Sequence, residues 1–428
     1  VIDADFALFN VDRLVTCAPG SHPAAVGPLG VVERAALAAR GGKIVWIGSV
    51  DDFHHTVQLT PNATVLNTHG RTVLPGFVDP HTHPVFAGER ISDFYRRLQG
   101  ESYAEQLEDS GIMSTVRSTR AASEDTLLNL AYQRGEIFLQ YGTTTIGAKT
   151  GYGLTLEDEC KGMAVLNRMQ HLHALKVIPQ FLGAHVVPSD FDGSADEYVQ
   201  QIIDVWLPEA QGCAQCVDVW VEAEAFTAAQ GRRILERARE LGFQLTAHAN
   251  ELGHTDGVRM AAELGATSVD HVVYLEDVDI EALRDAGTVA VLLPGTTFFL
   301  GSDTYAPARR LLDAGVTVAL GTDFNPGTSY TQNMQSILTL AAVKLGMSAE
   351  EVILAATVGG AKALAMDDRV GTLEVGKFCD LSVFCVGDYR AIPYMYGMKL
   401  VETVVANGKI VVGDGGIQAG RTFETAPA

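Results

Sequence analysis

The chain has 428 residues, 47% of them apolar and 19% charged, with a formal charge of −21. That length accommodates one large domain and a smaller one. The acidic balance argues against a nucleic-acid partner, whose phosphates want a basic surface, and no apolar run reaches the length of a membrane span. Six cysteines in so long a chain make no disulfide framework, so a reducing cytoplasm is the expected compartment. The first residues, VIDADFALFNVDRLV, carry acids where a signal peptide has a basic segment. Cys213-Ala-Gln-Cys216 lacks a second pair to complete a zinc site and reads as structural.

Residues 1–73 read as short strands and turns, in FALFNVDRLVTC, GGKIVWIGSV and ATVLNTHGRTVL. Residues 366–428 return to that style with CDLSVFCV and LVETVVANGKIVV. Both ends contain G-K-I-V, at Gly42–Val45 and Gly408–Val411, where a glycine turn feeds a β-rich segment. The two ends are therefore expected to pair into one small composite β domain around a central insert, residues 74–365. In that insert β-rich runs alternate with helical stretches: FVDPHTH, TTTIGAKTG, LKVIPQFLGAH, CVDVWVEAEAF, FQLTAHANE, TSVDH, VAVLLPG and VTVALGTDF. One predicted helix is Glu124–Tyr141, with Leu127, Leu128, Ala131, Ile137 and Phe138 on one face and Gly142 as its stop. Another is Arg232–Leu241, closed by Gly242. Eight such strands alternating with helices predict an α/β fold, a (β/α)8 TIM-like barrel, whose active site lies at the C-terminal strand ends.

Polar residues cluster at those ends. Strand one ends in His81 and His83, strand two in Lys149 to Tyr152, and strand three in His185. Strand five supplies His248 and then Glu251, strand six Asp270-His271, and strand eight Asp323 with Asn325. On an extended segment residues i and i+2 project to the same face, so His81 and His83 reach one point, which suits a metal that prefers nitrogen ligands. Five of the twelve histidines fall at these ends. Any one alone reads as a packed or surface residue; together on one face of a barrel they read as a site.

HTH after an apolar strand, a later strand-end histidine and a final G-T-D resemble the amidohydrolase superfamily. The resembling segments are FVDPHTHPVFAGER, TGYGL, FLGAHVVP, TAHANE, VDHVVY, LLPG and GTDFNPGTS, nearly spanning the central region, and GTLEVGKFCDL near the end also fits. HPVFAGER, TGYGL and DFNPGTS narrow the resemblance to members that hydrolyse the cyclic amide of 4-imidazolone-5-propanoate to N-formimidoyl-L-glutamate in histidine degradation. Ala148, Thr150 and Cys379 depart from the valine, serine and alanine expected there, without altering a group assigned to chemistry.

The resemblance implies that His81, His83, His248 and Asp323 hold one zinc or iron ion, which activates a water. It implies Asp323 as a proton acceptor as well as a ligand, His271 as a donor to the developing oxyanion, and Glu251 as a proton shuttle. Arg90 grips the substrate's propionate through paired hydrogen bonds. Tyr103, Tyr152 and His185 line the ring and tail. Asn325, Gly327 and Thr328 form a second clamp for the acid, although N-P-G composition also reads as a plain turn. Two-metal members of the superfamily bridge their ions with a carboxylated lysine at the end of strand four. Here that strand, Cys216–Phe226, has no lysine, and Lys149 ends strand two, so one ion is expected, although Glu222 or Glu224 from this strand could supply a bridge. The expected partner is a small anionic heterocyclic substrate, with a homodimer the possible assembly and neither nucleic acid nor membrane involved. A nucleobase deaminase of the same superfamily is the rival enzyme, and only Arg90 argues between them, since a neutral base offers it no carboxylate. A non-catalytic binding barrel is the rival of another class, and it conflicts with a full set of expected ligands.

Overall fold

The computed structural model describes residues 1–20, 22–102, 105–106, 111–413 and 416–417. Five strands come first: β1 (Ile2–Val15), β2 (Val31–Arg40), β3 (Lys43–Ser49), β4 (Val57–Asn67) and β5 (Thr72–Pro75). Eight follow that alternate with helices: β6 (Phe77–Thr82), β7 (Thr143–Lys149), β8 (Lys176–Ala184), β9 (Cys216–Val221), β10 (Gln244–Ala249), β11 (Ser268–His271), β12 (Val289–Leu292) and β13 (Val318–Leu320). β14 (Leu381–Phe384), β15 (Val401–Ala406), β16 (Lys409–Gly413) and β17 (Gly416–Ile417) close the described chain.

β6 to β13 pair in parallel and in sequence order, and a parallel bridge between Thr82 and Phe324 joins the last strand's end to the first. The result is a closed eight-stranded barrel. Runs such as CVDVWV in β9 and VAVL in β12 are buried along their whole length, as parallel strands covered by helices must be. A charged residue inside such a run therefore stands out, and β6 and β9 each contain one: Asp79 and Asp218, both fully buried.

The chain ends meet in a second sheet, ordered β17-β16-β15-β14-β5-β1-β2-β3, with β4 also on β1. β5 is the junction. It pairs parallel with β1 (Arg13 beside Thr72) and antiparallel with β14 (Val73 beside Val383), so the N- and C-terminal strands share one sheet. The two G-K-I-V turns converge on Cys379, whose N–H donates to the Gly42 carbonyl and whose carbonyl accepts from Gly408 N–H, at 2.8 and 3.0 Å. This sheet encloses its own core around Phe6, Leu8, Leu14, Ile44, Leu381 and Val405, separate from the core between barrel and helices. The chain crosses from sheet to barrel at Gly76, where a Cβ would collide with the Thr144 side chain.

Several local expectations need correction. β1 runs for 14 residues rather than as a short strand, and a Ser49-capped helix, Val50–Thr56, intervenes before β4. The helix Glu124–Gln140 buries Leu127, Leu128, Ala131 and Phe138, but Ile137 is 38% exposed. At about 100° per residue, Ile137 stands roughly 120° from the centre of the arc those four share. The helix expected from Arg232 begins at Ala228, because Thr227 and Gln230 form a capping box ahead of the apolar periodicity. Among the described residues no helix is long and apolar enough to cross a membrane.

Candidate active site

The site is built on the seam that closes the barrel. Asp79, low in β6, accepts hydrogen bonds from the Thr322 N–H (3.1 Å) and hydroxyl (2.6 Å) just beyond β13. Above it the Asp323 N–H donates to the His81 carbonyl at 3.0 Å, and the His83 N–H to the Phe324 carbonyl at 2.8 Å. These bonds fix the two strand ends in register. They place His81 Nε2 3.2 Å from His83 Nε2 and 3.3 Å from Asp323 Oδ1, while His83 Nε2 lies 3.6 Å from the same oxygen. Thr296 donates to the other Asp323 oxygen at 2.6 Å. Asp323 itself sits at φ 49°, and His271, the last residue of β11, and Val272 sit at 75° and 45°. Left-handed backbone is costly for such residues, above all for a β-branched valine, and it concentrates at functional sites.

A carboxylate orients each of two imidazoles from behind. His81 Nδ1–H donates to Asp270 Oδ2 at 2.6 Å, and His248 Nδ1–H to Asp218 Oδ1 at 2.8 Å. Both rings therefore turn their Nε2 lone pairs inward. His248 Nε2 is buried with no hydrogen-bond partner among the described residues, and the rings of His81 and His248 lie 4.4 Å apart. Two imidazole lone pairs facing each other at 3.2 Å repel unless a proton or cation lies between them. Ligand atoms of His81, His83 and Asp323 fall within 4.8 Å of one another, as do those of His81, His248 and His271. Inward imidazole nitrogens crowded together beside the Asp323 carboxylate fit a transition-metal ion, and carboxylate-backed histidines are the usual way to hold one.

Beneath the imidazoles lies Lys149, wholly buried. Its Nζ contacts Asp218, Asp270 Oδ2 (3.2 Å) and Gln180 Oε1 (2.8 Å). Thr246 donates to Asp218 at 2.7 Å and Ser268 to Asp270 at 2.8 Å. Burial alone would push the Asp270 carboxyl up, but Lys149 and His81 hold it down at about 2. Asp218 is likewise held well below the usual carboxylate range, against its burial, by His248 and Lys149.

Above this layer opens a cleft. His83, Arg90, Tyr152, His185, His248, Glu251, His271, Asp323, Asn325 and Thr328 line it, joined by Ile112 and Trp220. Asp93 takes the Nε of Arg90 at 2.7 Å and so sets the plane of the guanidinium. Gly327 lies against that plane, behind the cleft wall, and a Cβ there would collide with Arg90. The Asn325 amide is used within its own turn: Oδ1 accepts from the Gly327 and Thr328 N–H groups, each at 2.8 Å, and Nδ2 donates to the Asp323 carbonyl at 2.7 Å. Tyr103 lies outside the described residues.

Burial and the charges of Asp323 and Glu222 raise the Glu251 carboxyl well above its ordinary range, and Glu251 Oε2 stands 3.7 Å from His271 Nε2. Burial lowers His271 to about 3 and His185 to about 4, with His248 adding to both, so each imidazole is neutral at pH 7. His185 Nδ1–H donates to the Gly151 carbonyl at 2.9 Å, which leaves its Nε2 an acceptor. The turn carrying Tyr152 wraps around Glu159, whose carboxylate accepts the N–H groups of Gly151, Gly153 and Leu154 at 3.1, 2.8 and 2.8 Å. Glu222 Oε1 accepts the Glu251 and Leu252 N–H groups, and Glu224 is exposed.

Sequence reasoning assigned no role to Asp79, Asp218, Glu159, Trp220 or Thr296. For Asp79 and Asp218 the signal was available, a charge directly after or within an apolar run. Replacing Asp218 with Asn removes the charge behind His248 while preserving its shape. Zinc affinity, measured by chelator competition, is expected to fall ~10–100-fold in Asp218→Asn; an unchanged affinity would separate His248 from the metal set.

The model of the amidohydrolase family matches residues 72–411. The imidazolonepropionase of Symbiobacterium thermophilum is 42% identical over 97% of this chain and 99% of its own. That of Geobacillus kaustophilus is 41% identical over 94% of this chain and 97% of its own. An adenosine deaminase from Xanthomonas campestris with bound zinc shares the fold at a TM-score of 0.75 and 20% identity, over 98% of this chain and 95% of the other. A barrel closed by Asp79 and Thr322, an inward-facing histidine cluster and full-length similarity coincide: the chain belongs to the amidohydrolase family, among its imidazolonepropionases.

Proposed function

We propose that this protein hydrolyses the ring amide of 4-imidazolone-5-propanoate to N-formimidoyl-L-glutamate, with one zinc or iron ion held by His81, His83, His248 and Asp323. The observation that carries the reading is that one cleft brings together His83, His248 and His271 with Arg90, braced by Asp93, in its wall. The similarity to imidazolonepropionases over nearly the whole chain supports it. When bound, such an ion lowers the pKa of a water towards neutrality.

The water gives up a proton to the Asp323 carboxylate as its oxygen bonds to the ring carbonyl carbon; the C–N bond then breaks, the freed nitrogen takes a proton from Glu251, and the proton on Asp323 restores Glu251. Glu251 is the carboxyl suited to carry that proton, because its surroundings favour the protonated form and it stands 3.7 Å from His271 in the cleft that Asp323 also lines. His271, neutral, donates to the carbonyl oxygen as negative charge develops there. His185 presents an acceptor nitrogen to a ring N–H, and Tyr152 closes the same wall. Arg90 pairs with the propionate, which overcomes locally the chain's overall negative charge. Asn325 and Gly327 shape the wall behind Arg90 through the turn they build, and Thr328 brings a hydroxyl to the cleft. A single ion is favoured because each carboxylate of the fourth strand is otherwise engaged or turned away: Asp218 is held by Lys149 and His248, Glu222 is committed to backbone N–H groups, and Glu224 faces solvent.

Glu251→Gln keeps shape and ligands, so metal content should stay while turnover falls by about 10²–10⁴. Unchanged turnover would place the proton carrier elsewhere. Arg90→Lys keeps charge but loses the two-pronged geometry, so KM for 4-imidazolone-5-propanoate should rise with little change in kcat. The same imidazolone without its carboxylate should be a poor substrate for the native enzyme and indifferent to this substitution. Equal turnover of the two substrates by the native enzyme would refute the carboxylate clamp.

A further inference from the structure

We infer that the Lys149 ammonium occupies the position of a second cation, compensating Asp218 and Asp270 and thereby restricting the centre to one exchangeable ion. The inference rests on the proposed ion at His81, His83, His248 and Asp323 and concerns the space beneath it. There the ligand atoms of Asp218, His248 and Asp270 lie within 4.8 Å of one another, a grouping fit for a metal ion in its own right. Lys149 Nζ already contacts both carboxylates, and all the groups concerned are buried. The lysine enters from β7, two strands away from β9, and Gln180 on β8 takes a further hydrogen of its ammonium.

Two buried carboxylates so close repel each other and demand a positive charge. A covalently attached ammonium supplies it permanently. It also repels any divalent ion approaching the same oxygens. Asp218 and Asp270 are then left as hydrogen-bond acceptors that aim His248 and His81 upward rather than as ligands.

The test is metal stoichiometry. The metal-free protein and its variants are titrated with Zn²⁺, and ions per folded chain are counted after removal of weakly held metal. The native protein should take up one ion, Lys149→Arg one, and Lys149→Ala two, since alanine opens both the space and the uncompensated charge. One ion in folded Lys149→Ala would overturn the inference while leaving the single-ion reaction intact. Two ions in the native chain would overturn it as well; none would remove the proposed function and this inference with it. If Lys149→Ala does not fold, thermal unfolding of Lys149→Met and Lys149→Met/Asp270→Asn decides. Neutralising one carboxylate should restore at least half of the lost midpoint, and a double variant no more stable than Lys149→Met would refute the compensating role.

Discussion

Asp218 and Asp270 are buried beneath the mouth of the barrel, where an isolated carboxylate would be driven to take up a proton. Lys149 between them keeps both ionised, and each spends one oxygen on the Nδ1–H of a histidine above. Through that arrangement His81 and His248 lose their rotational freedom and their choice of tautomer. The inward nitrogens of the cleft thus depend on charges that touch neither cleft nor solvent. The seam between β6 and β13 has a comparable role for His83 and Asp323, since Asp79 and Thr322 lock the last strand end against the first. Preorganisation of this kind lets a catalytic centre meet its transition state without rearranging.

The cleft above combines groups of opposed electrostatic character. Asp323 is pushed towards its ionised form against its burial by the surrounding imidazoles, whereas Glu251, within the same cleft, is pushed towards its protonated form by burial and neighbouring negative charge. Two carboxyl groups pushed in opposite directions are suited to different tasks, one to bind positive charge and the other to carry a proton. Arg90, placed by Asp93 and backed by Gly327, brings a guanidinium to the cleft wall of this otherwise acidic protein.

Much of this was legible in the sequence because barrels put function at strand ends. His81, His83, His185, His248, His271 and Asp323 all follow apolar runs, and the structure gathers them around one point. What the sequence hid was mostly pairing. Lys149 reads as a polar strand end, yet its partners are 69 and 121 residues away along the chain, and no local pattern names them. Asp218 was visible as a charge in an apolar run, but its task became clear only with His248 beside it. The Asn325 turn is a different case: composition allowed either a clamp or a turn, and the hydrogen bonds show its amide serving the turn. Ile137 misled for a geometric reason, since an apolar residue next to Phe138 in sequence is turned away from it on a helix.

The most direct test is a crystal structure of the purified protein with an anomalous-difference map recorded at the absorption edge of its metal. One peak per chain is expected, bonded to Nε2 of His81, His83 and His248 and to the Asp323 carboxylate, with Lys149 still between Asp218 and Asp270. A peak outside that set, or a second peak on Asp218 and Asp270, would contradict it.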